Sequence, residues 1–599
     1  MKNIVYFIIF WLSAGNLMAQ TTYSKEIEEQ IKQVENNLAE RVIINDKPGN
    51  ILDRMAYYNV KGLSIAVVQN YKVVWAKGYG WADEMEKRPV TTKTLFVPGS
   101  ISKTFNALGI LKLAQDKKLD LDTDINTYLQ SWKFPYDSLS KGKKITLMHL
   151  LSHSAGISFL GSDGYSRTAK IPTLQQLLEG SLSPGSFGVR SEFEPGLYHQ
   201  YSNGGIVITQ VMITDITRQL YEKFMYDNVL KPLGMTGSFF TQPPPDSKLK
   251  LLATGYNADG TELASKFNII PEQAAGGLWT TPTDVCKYII ETQLAYEGKS
   301  SKILTPEMTK LHLTPTVDQV SALGVFIDKR GETKYFTHDA RNFGYCGVYY
   351  GSMEGGNGVA VFLNSFNTEL LPEIVNSVAT VYKWKDFYTP VFRNEINLPG
   401  STFRKYTGVY LFENKLASIY KKQDGYYYWA DGINSKMHFA NEQEFYNQEF
   451  RVEKIFTSNA AGKVTGYIRK LDGKELPAAI KIINADTLTV PIDQINSLAW
   501  HFLENKQYEQ VIQFLKRGLV LAPNELSLAI NLAHSYLFKN EYDKAIKLYA
   551  KQLTTALTPT DSFIEIINRD FLFFKKKGFD KKLMSKVLSD LKLEIPKGF

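Results

Sequence analysis

Ser100 and Lys103, three residues apart in Pro98-Gly99-Ser100-Ile101-Ser102-Lys103-Thr104-Phe105, are the pair in this sequence best suited to covalent chemistry. A serine hydroxyl is a poor nucleophile until a neighbouring base removes its proton. A lysine can be that base only when it is neutral. Burial disfavours the ammonium form, and the positive end of a helix repels it while favouring a developing alkoxide. Ile101, Phe105, Leu108, Leu111 and Ala114 keep the rhythm of a helix with one buried face. Residues three apart lie on the same side of a helix, so the Lys103 amine is expected against the Ser100 hydroxyl. Ser-x-x-Lys recurs at Ser138/Lys141, Ser140/Lys143, Ser247/Lys250, Ser418/Lys421 and Ser589/Lys592, which read as solvated surface. What separates Ser100 is the Pro-Gly turn before it and the long helix after it.

Such a pair needs a group to pass the proton to the leaving group, and an oxyanion hole. Tyr201-Ser202-Asn203 is the best candidate for the first, at the mouth of a helix and followed by Gly204-Gly205. A tyrosine hydroxyl can relay a proton and an asparagine amide can bind a substrate carbonyl. Tyr-x-Asn also occurs at Tyr57/Asn59 and Tyr226/Asn228, so setting again decides. A third piece is expected on an exposed strand edge, where Tyr335-Phe336-Thr337-His338-Asp339-Ala340-Arg341 runs from strand into loop. His149 and His153, four apart, could share a helix face as metal ligands do. No Glu follows His149 and no third ligand suggests itself, so neither metal nor cofactor is expected. Cys286 and Cys346 lie in no nucleophile or C-x-x-C context and read as two buried free thiols.

These residues must be held by a large scaffold, and 599 residues predict several domains. A net charge of +8, with no basic run interleaved with aromatics, gives no indication of nucleic-acid binding. Residues 1–19 read as an export leader: Lys2, an apolar run from Ile4 to Leu12, and Leu17-Met18-Ala19 before Gln20. The protein is therefore expected to be exported, periplasmic or secreted, with no integral membrane segment after the leader is removed. An opening helix follows, then two strands around Gln69-Asn70-Tyr71, the Ser100 helix, and a second strong helix after Asn203. Thr281-Pro282-Thr283-Asp284 is a capped helix start. Four short strands near 323–327, 334–337, 345–350 and 359–364 and a helix near 372–383 close the unit. Strands at both ends with helices between them imply a largely antiparallel sheet with a helical lobe, and a ligand cleft between the two.

After Trp384 the texture changes. Residues 396–490 read as a small β domain, with Tyr426-Tyr427-Tyr428-Trp429 lining both faces of a strand rather than forming a sugar-binding strip. Residues 491–599 are helical. Leu503, Tyr508 and Ile512 recur as Leu537, Tyr542 and Ile546, a 34-residue tetratricopeptide period. Two repeats are too few for a free solenoid, so this tail is expected to dock on another domain or on a protein partner.

Taken together, residues 50–385 resemble the serine β-lactamase-related family: class C β-lactamases, penicillin-binding D-alanyl-D-alanine carboxypeptidases, D-aminopeptidases and esterases. The resemblance is carried in order by 62–68 (GLSIAVV), 96–103 (FVPGSISK), 147–156 (LMHLLSHSAG), Tyr201-Ser202-Asn203, Pro232-Leu233-Gly234-Met235, Gly276-Gly277-Leu278 and 357–361 (NGVAV). It implies an α+β fold of β-lactamase/transpeptidase type over residues 22–390, followed by the small all-β domain and the helical repeats. It further implies Ser100 as the acylated nucleophile, Lys103 as its base and Tyr201 as proton relay. Asn203 would hold the substrate amide, and the N–H groups of Ser100 and Arg341 would form the oxyanion hole. His338, Ala340 and Arg341 fall at the family's third, substrate-binding motif.

That third motif departs from the family's Lys-Thr-Gly or His-x-Gly, since this chain reads His338-Asp339-Ala340. An Asp there would repel a substrate carboxylate unless strand alternation turns it away. The expected function is an exported serine hydrolase acting through an acyl-enzyme on small esters, amides or D-amino-acid peptides. The runner-up is a peptidoglycan D-Ala-D-Ala carboxypeptidase or β-lactamase. From another class, a catalytically weak module could use the tail to hold a partner.

Overall fold

The computed structural model describes residues 23–599 except 40–41, 46, 161–163, 181–187, 414, 431–432, 448–451, 472, 483–484, 486–487, 489, 554–562 and 597–598. The leader expected over 1–19 lies outside the described residues.

A seven-stranded antiparallel sheet organises the first unit. Its strands lie side by side in the order Arg88–Pro89, Lys72–Asp83, Gly62–Gln69, Gly358–Leu363, Tyr345–Ser352, Thr333–Asn342 and Phe326–Arg330. The earliest strands and the last four therefore share one sheet, joined where Gly62–Gln69 pairs with Gly358–Leu363. The Gly62–Gln69 and Lys72–Asp83 hairpin turns through Asn70 and Tyr71, both at positive φ, the geometry that matches strand twist in a two-residue loop. Central strands are buried on both faces. One face packs helices Lys25–Glu35 and Leu370–Val381 through Ile31, Val34, Ile374 and Val378. The other packs Pro282–Tyr296 and the helical lobe. Thr281 caps that helix as expected, accepting from the Asp284 N–H at 3.1 Å.

The helix after Ser100 departs from expectation. It runs Ser102–Gln115 behind a 3₁₀ turn at Gly99–Ile101, and it is buried nearly all round, polar residues included. Its polar side chains are satisfied by other segments. Thr104 donates to the Gly324 carbonyl at 3.1 Å, and Asn106 donates to Thr209 at 2.8 Å and accepts from Tyr221 at 3.1 Å. A one-faced pattern in sequence thus belongs to a central helix, whose polar side is paired by neighbours distant in the chain rather than by water.

Beyond Trp384, a nine-stranded antiparallel sheet runs from Gly408 to Ile482, its first strand paired with its last (Val409 opposite Ile482). The two ends of the sheet, Ile433–Lys436 and His438–Phe439, are joined by Met437 alone, which gives it a barrel-like curl. Tyr428 and Trp429 are buried and Tyr426 stacks on Phe403 at 3.8 Å, so this aromatic run is packing, as read from the sequence. Helices from Ile492 to Asp590 form the tail. They dock on this sheet: Val409, Leu416, Tyr420 and Trp429 share one hydrophobic core with Ile495, Leu498, Phe502 and Leu515. No helix among the described residues is long and apolar enough to cross a membrane.

Candidate active site

The turn that presents Ser100 is built on Gly99, whose φ of +68° L-residues rarely adopt. A Cβ there would come within 3.1 Å of the Asn342 Cβ and 3.2 Å of the Arg341 carbonyl oxygen, so glycine lets the turn lie against the Thr333–Asn342 strand. Ser102 locks the turn from behind. Its hydroxyl donates to the Gly99 carbonyl at 2.7 Å and accepts from the Leu278 N–H at 3.0 Å.

Lys103 Nζ lies 2.9 Å from Ser100 Oγ and donates to the Ala275 carbonyl at 2.7 Å. Among the described residues, no carboxylate is a hydrogen-bond partner of Lys103. Complete burial pushes its pKa from 10.5 down to about 7. An amine that spends one N–H on Ala275 and is half neutral near pH 7 can offer its lone pair to the serine proton.

Tyr201 and Asn203 arrive on the same side, at the start of helix Asn203–Thr217. Ser202 caps it, accepting from the Gly205 N–H at 3.2 Å while donating to the Ser158 carbonyl at 2.7 Å. Burial pushes the Tyr201 phenol well up, and the nearby Ser100 side chain partly opposes this, so Tyr201 stays protonated. Lys103 Nζ sits 5.0 Å from the centre of its ring. Asn203 lines the cleft beside Ser100, and its buried side-chain oxygen has no partner among the described residues, an acceptor suited to a ligand N–H.

The third piece is strand throughout, not strand passing into loop: His338, Asp339, Ala340 and Arg341 all belong to Thr333–Asn342. Strand Phe326–Arg330 pairs with it only as far as Thr337, so from His338 onward it has a strand neighbour on one side only. Alternation then decides what faces the cleft. His338 and Ala340 lie beneath it, on the face of the Ser100 helix, with His338 only 2% exposed. Burial and the nearby Lys103 push the imidazole down to about 4, so it is neutral at pH 7. Its Nδ1 faces the Asp339 carbonyl at 2.6 Å. Asp339 is turned to the opposite face, into a cavity with Val348, Leu371 and Val375, so its side chain does not line the cleft, although its charge reaches Tyr201 and helps to keep that phenol protonated. Arg341 lines the cleft, but its guanidinium stacks on Phe366 at 4.5 Å. Hence neither a lysine nor an opposed aspartate meets a substrate at this motif.

Two residues were not assigned roles from the sequence. His153, considered there only as a metal ligand, stacks its ring on Tyr201 at 4.2 Å and 29°. Its Nδ1 accepts from the Ser202 N–H at 3.2 Å, and burial pushes its pKa well down. The signal was its place in 147–156, but nothing local says that it touches Tyr201. No group of three or more metal-ligating side chains occurs among the described residues. Glu272, in a loop with no motif of its own, forms part of the cleft wall. Both cysteines are buried and unpaired, as read from the sequence.

A seven-stranded sheet flanked by helices, with a Ser-x-x-Lys turn at its edge, defines the β-lactamase/transpeptidase class of fold. Residues 49–376, more than half of the chain, match the Beta-lactamase family, and the protein belongs to that family. Residues 527–562 match a tetratricopeptide repeat. The chain is 28% identical over 329 residues to Protein flp of Staphylococcus aureus (strain N315), covering 54% of this chain and 63% of that protein. It is 26% identical over 290 residues to the putative penicillin-binding protein PbpX of Bacillus subtilis (strain 168), covering 47% of this chain and 66% of that protein. In both cases the match spans just under two thirds of the relative's length. Among solved structures, an octameric penicillin-binding protein homologue from Pyrococcus abyssi superposes with a TM-score of 0.50 at 22% identity, over 72% of this chain and 98% of that one, and shares the fold.

Proposed function

We propose that this protein is an exported serine hydrolase that works through an acyl-enzyme on Ser100, with small esters or amides as substrates. The observation that carries the reading is Lys103 Nζ at 2.9 Å from Ser100 Oγ, fully buried, with its pKa pushed down to about 7. Lys103 takes the Ser100 proton as Oγ bonds to the substrate carbonyl carbon. The oxyanion is received by the N–H groups of Ser100 and Arg341. As the tetrahedral intermediate collapses, the bond to the leaving group breaks. Tyr201 gives that group its proton and is reprotonated from Lys103. Water then attacks the ester, and the same groups move its proton back to Ser100. Asn203 holds the substrate amide or ester through its side-chain carboxamide.

Peptides ending in a free carboxylate are poorer substrates in this reading. The cause is a missing attraction, because His338 is neutral and the Arg341 guanidinium is engaged by Phe366. The tail holds the second sheet rather than the cleft, and any protein partner would meet the outer surface of its repeats.

Intact-mass analysis after incubation with a fluorophosphonate tests the central claim. One adduct is expected on wild-type protein and none on Ser100→Ala. Labelling that persists in Ser100→Ala, or wild-type protein that takes no label, overturns it.

A further inference from the structure

We propose that the cavity behind the Thr333–Asn342 strand is a binding site for a small primary amine carried on an apolar body, separate from the cleft at Ser100. The site goes beyond the hydrolase reading and does not depend on the chemistry at Ser100. The cavity holds about 440 Å³, within the size range of small-molecule sites. It lies between the back of that strand and the start of helix Leu370–Val381, and Val348, Leu371, Val375 and Phe387 wall it. Phe326, paired opposite Thr337 where the strand pairing ends, also lines it, as does Asp339, which stands exposed just beyond.

The charges in this wall favour one sign. Asp339 and Glu369 are its carboxylates. Among the described residues neither forms an ion pair, and the buried Oε2 of Glu369 has no hydrogen-bond partner. Arg330 is the cation among the described lining residues, and it is already committed. Its Nε donates to Asp328 at 2.8 Å, an Nη donates to the Phe387 carbonyl at 2.8 Å, and the guanidinium lies 4.0 Å from the centre of the Phe387 ring. Arg341, two residues beyond Asp339, lays its guanidinium on Phe366 instead. An apolar chamber with two carboxylates that the protein does not neutralise complements a cation with an apolar body and repels an anion. A primary amine keeps its proton at pH 7, since such amines titrate near about 10. Its ammonium meets Asp339 at the rim while its body covers Leu371 and Val375. Because the rim is solvated, the attraction is screened by salt, whereas the apolar contact is not.

The test measures binding of phenethylammonium, phenethyl alcohol, phenylacetate and methylammonium to the full chain at pH 7 by titration calorimetry. Phenethylammonium is expected to bind at least tenfold more tightly than any of the other three, and its advantage over the alcohol should shrink at least threefold from low to high salt. Asp339 is exposed and unpaired, so Asp339→Asn removes the charge without removing a contact of the fold. That variant should lose at least threefold in amine affinity, and Asp339→Asn with Glu369→Gln should bring the amine within about threefold of the alcohol, whose own affinity stays unchanged. Val375→Phe, which fills the chamber, should weaken amine and alcohol alike. Amine and alcohol within threefold of each other in the wild-type protein, or an Asp339→Asn protein that keeps the full amine affinity, overturns the site. So does an absence of saturable amine binding up to about 10 mM, the range expected of a ligand with so few heavy atoms. The wild-type comparison and Asp339→Asn decide the matter even if Val375→Phe fails to fold.

Discussion

Replacing Lys103 tests the site most sharply, because the same burial that makes it a base also costs stability. Its pKa falls from 10.5 to about 7 through burial alone. At 1.36 kcal/mol per pKa unit, that displacement corresponds to about 5 kcal/mol against the buried ammonium. Below pH 7 the amine is protonated in both folded and unfolded chains, so the folded protein carries the whole cost. Between pH 7 and 10.5 the unfolded chain binds more protons, and stability rises with pH. Above 10.5 both forms are neutral and the cost is gone. Lys103→Met should therefore raise the thermal midpoint by several degrees at pH 6 and by much less at pH 10. The kinetic counterpart runs through the neutral amine, about a tenth of the population at pH 6, half at pH 7 and nine tenths at pH 8. The second-order rate of Ser100 labelling should climb about tenfold over that range with a midpoint near 7. Lys103→Met and Lys103→Arg should both lose about 10²–10⁴-fold in acylation, the usual contribution of a general base, since a guanidinium keeps its proton at these pH values. A labelling rate flat from pH 6 to 9, or a Lys103→Met protein less stable than wild type at pH 6, would refute the reasoning.

Other residues give simpler tests. His153→Ala removes the ring stacked on Tyr201 and should lower kcat about tenfold with little change in KM, with His153→Phe restoring part of the loss; unchanged kcat in the alanine variant would show that Tyr201 needs no such support. Asp339→Asn should leave the ratio of nitrocefin to p-nitrophenyl acetate turnover within about twofold, because the carboxylate faces the other side of the sheet and is screened; a tenfold gain for nitrocefin would mean that it reaches the substrate. Gly99→Ala should destabilise by about 1–2 kcal/mol and slow acylation, since a Cβ at positive φ is strained and would press on Arg341 and Asn342; denaturant midpoints and labelling rates read both. A chain ending after Arg393 keeps the Val42–Ile44 and Val391–Arg393 strand pair and should still label at Ser100, while 491–599 alone should lose cooperative melting without the sheet that shares its core.

Much of the site was legible because it is local. Ser100 and Lys103 meet because three residues are nearly one helical turn, Thr281 caps because its side chain reaches its own helix end, and His338, Asp339 and Ala340 alternate because a strand has period two. The antiparallel sheet built from both ends of the unit also followed from the order of strands and helices. What the residues could not state is whatever depends on neighbours far along the chain. The pKa of Lys103 is set by segments around residues 200 and 275 that close over it and remove water. Even alternation left open which of Asp339 and His338 faces the cleft, since register against Tyr345–Ser352 and packing of the Leu370–Val381 helix decide that. His153 had no readable role in sequence, because it acts on a partner across the fold, Tyr201, 48 residues on. The tail was read as needing a surface to cover its apolar faces. That the surface is its own nine-stranded sheet was decided by tertiary packing, where Tyr420 and Trp429 close the core that two repeats cannot complete alone.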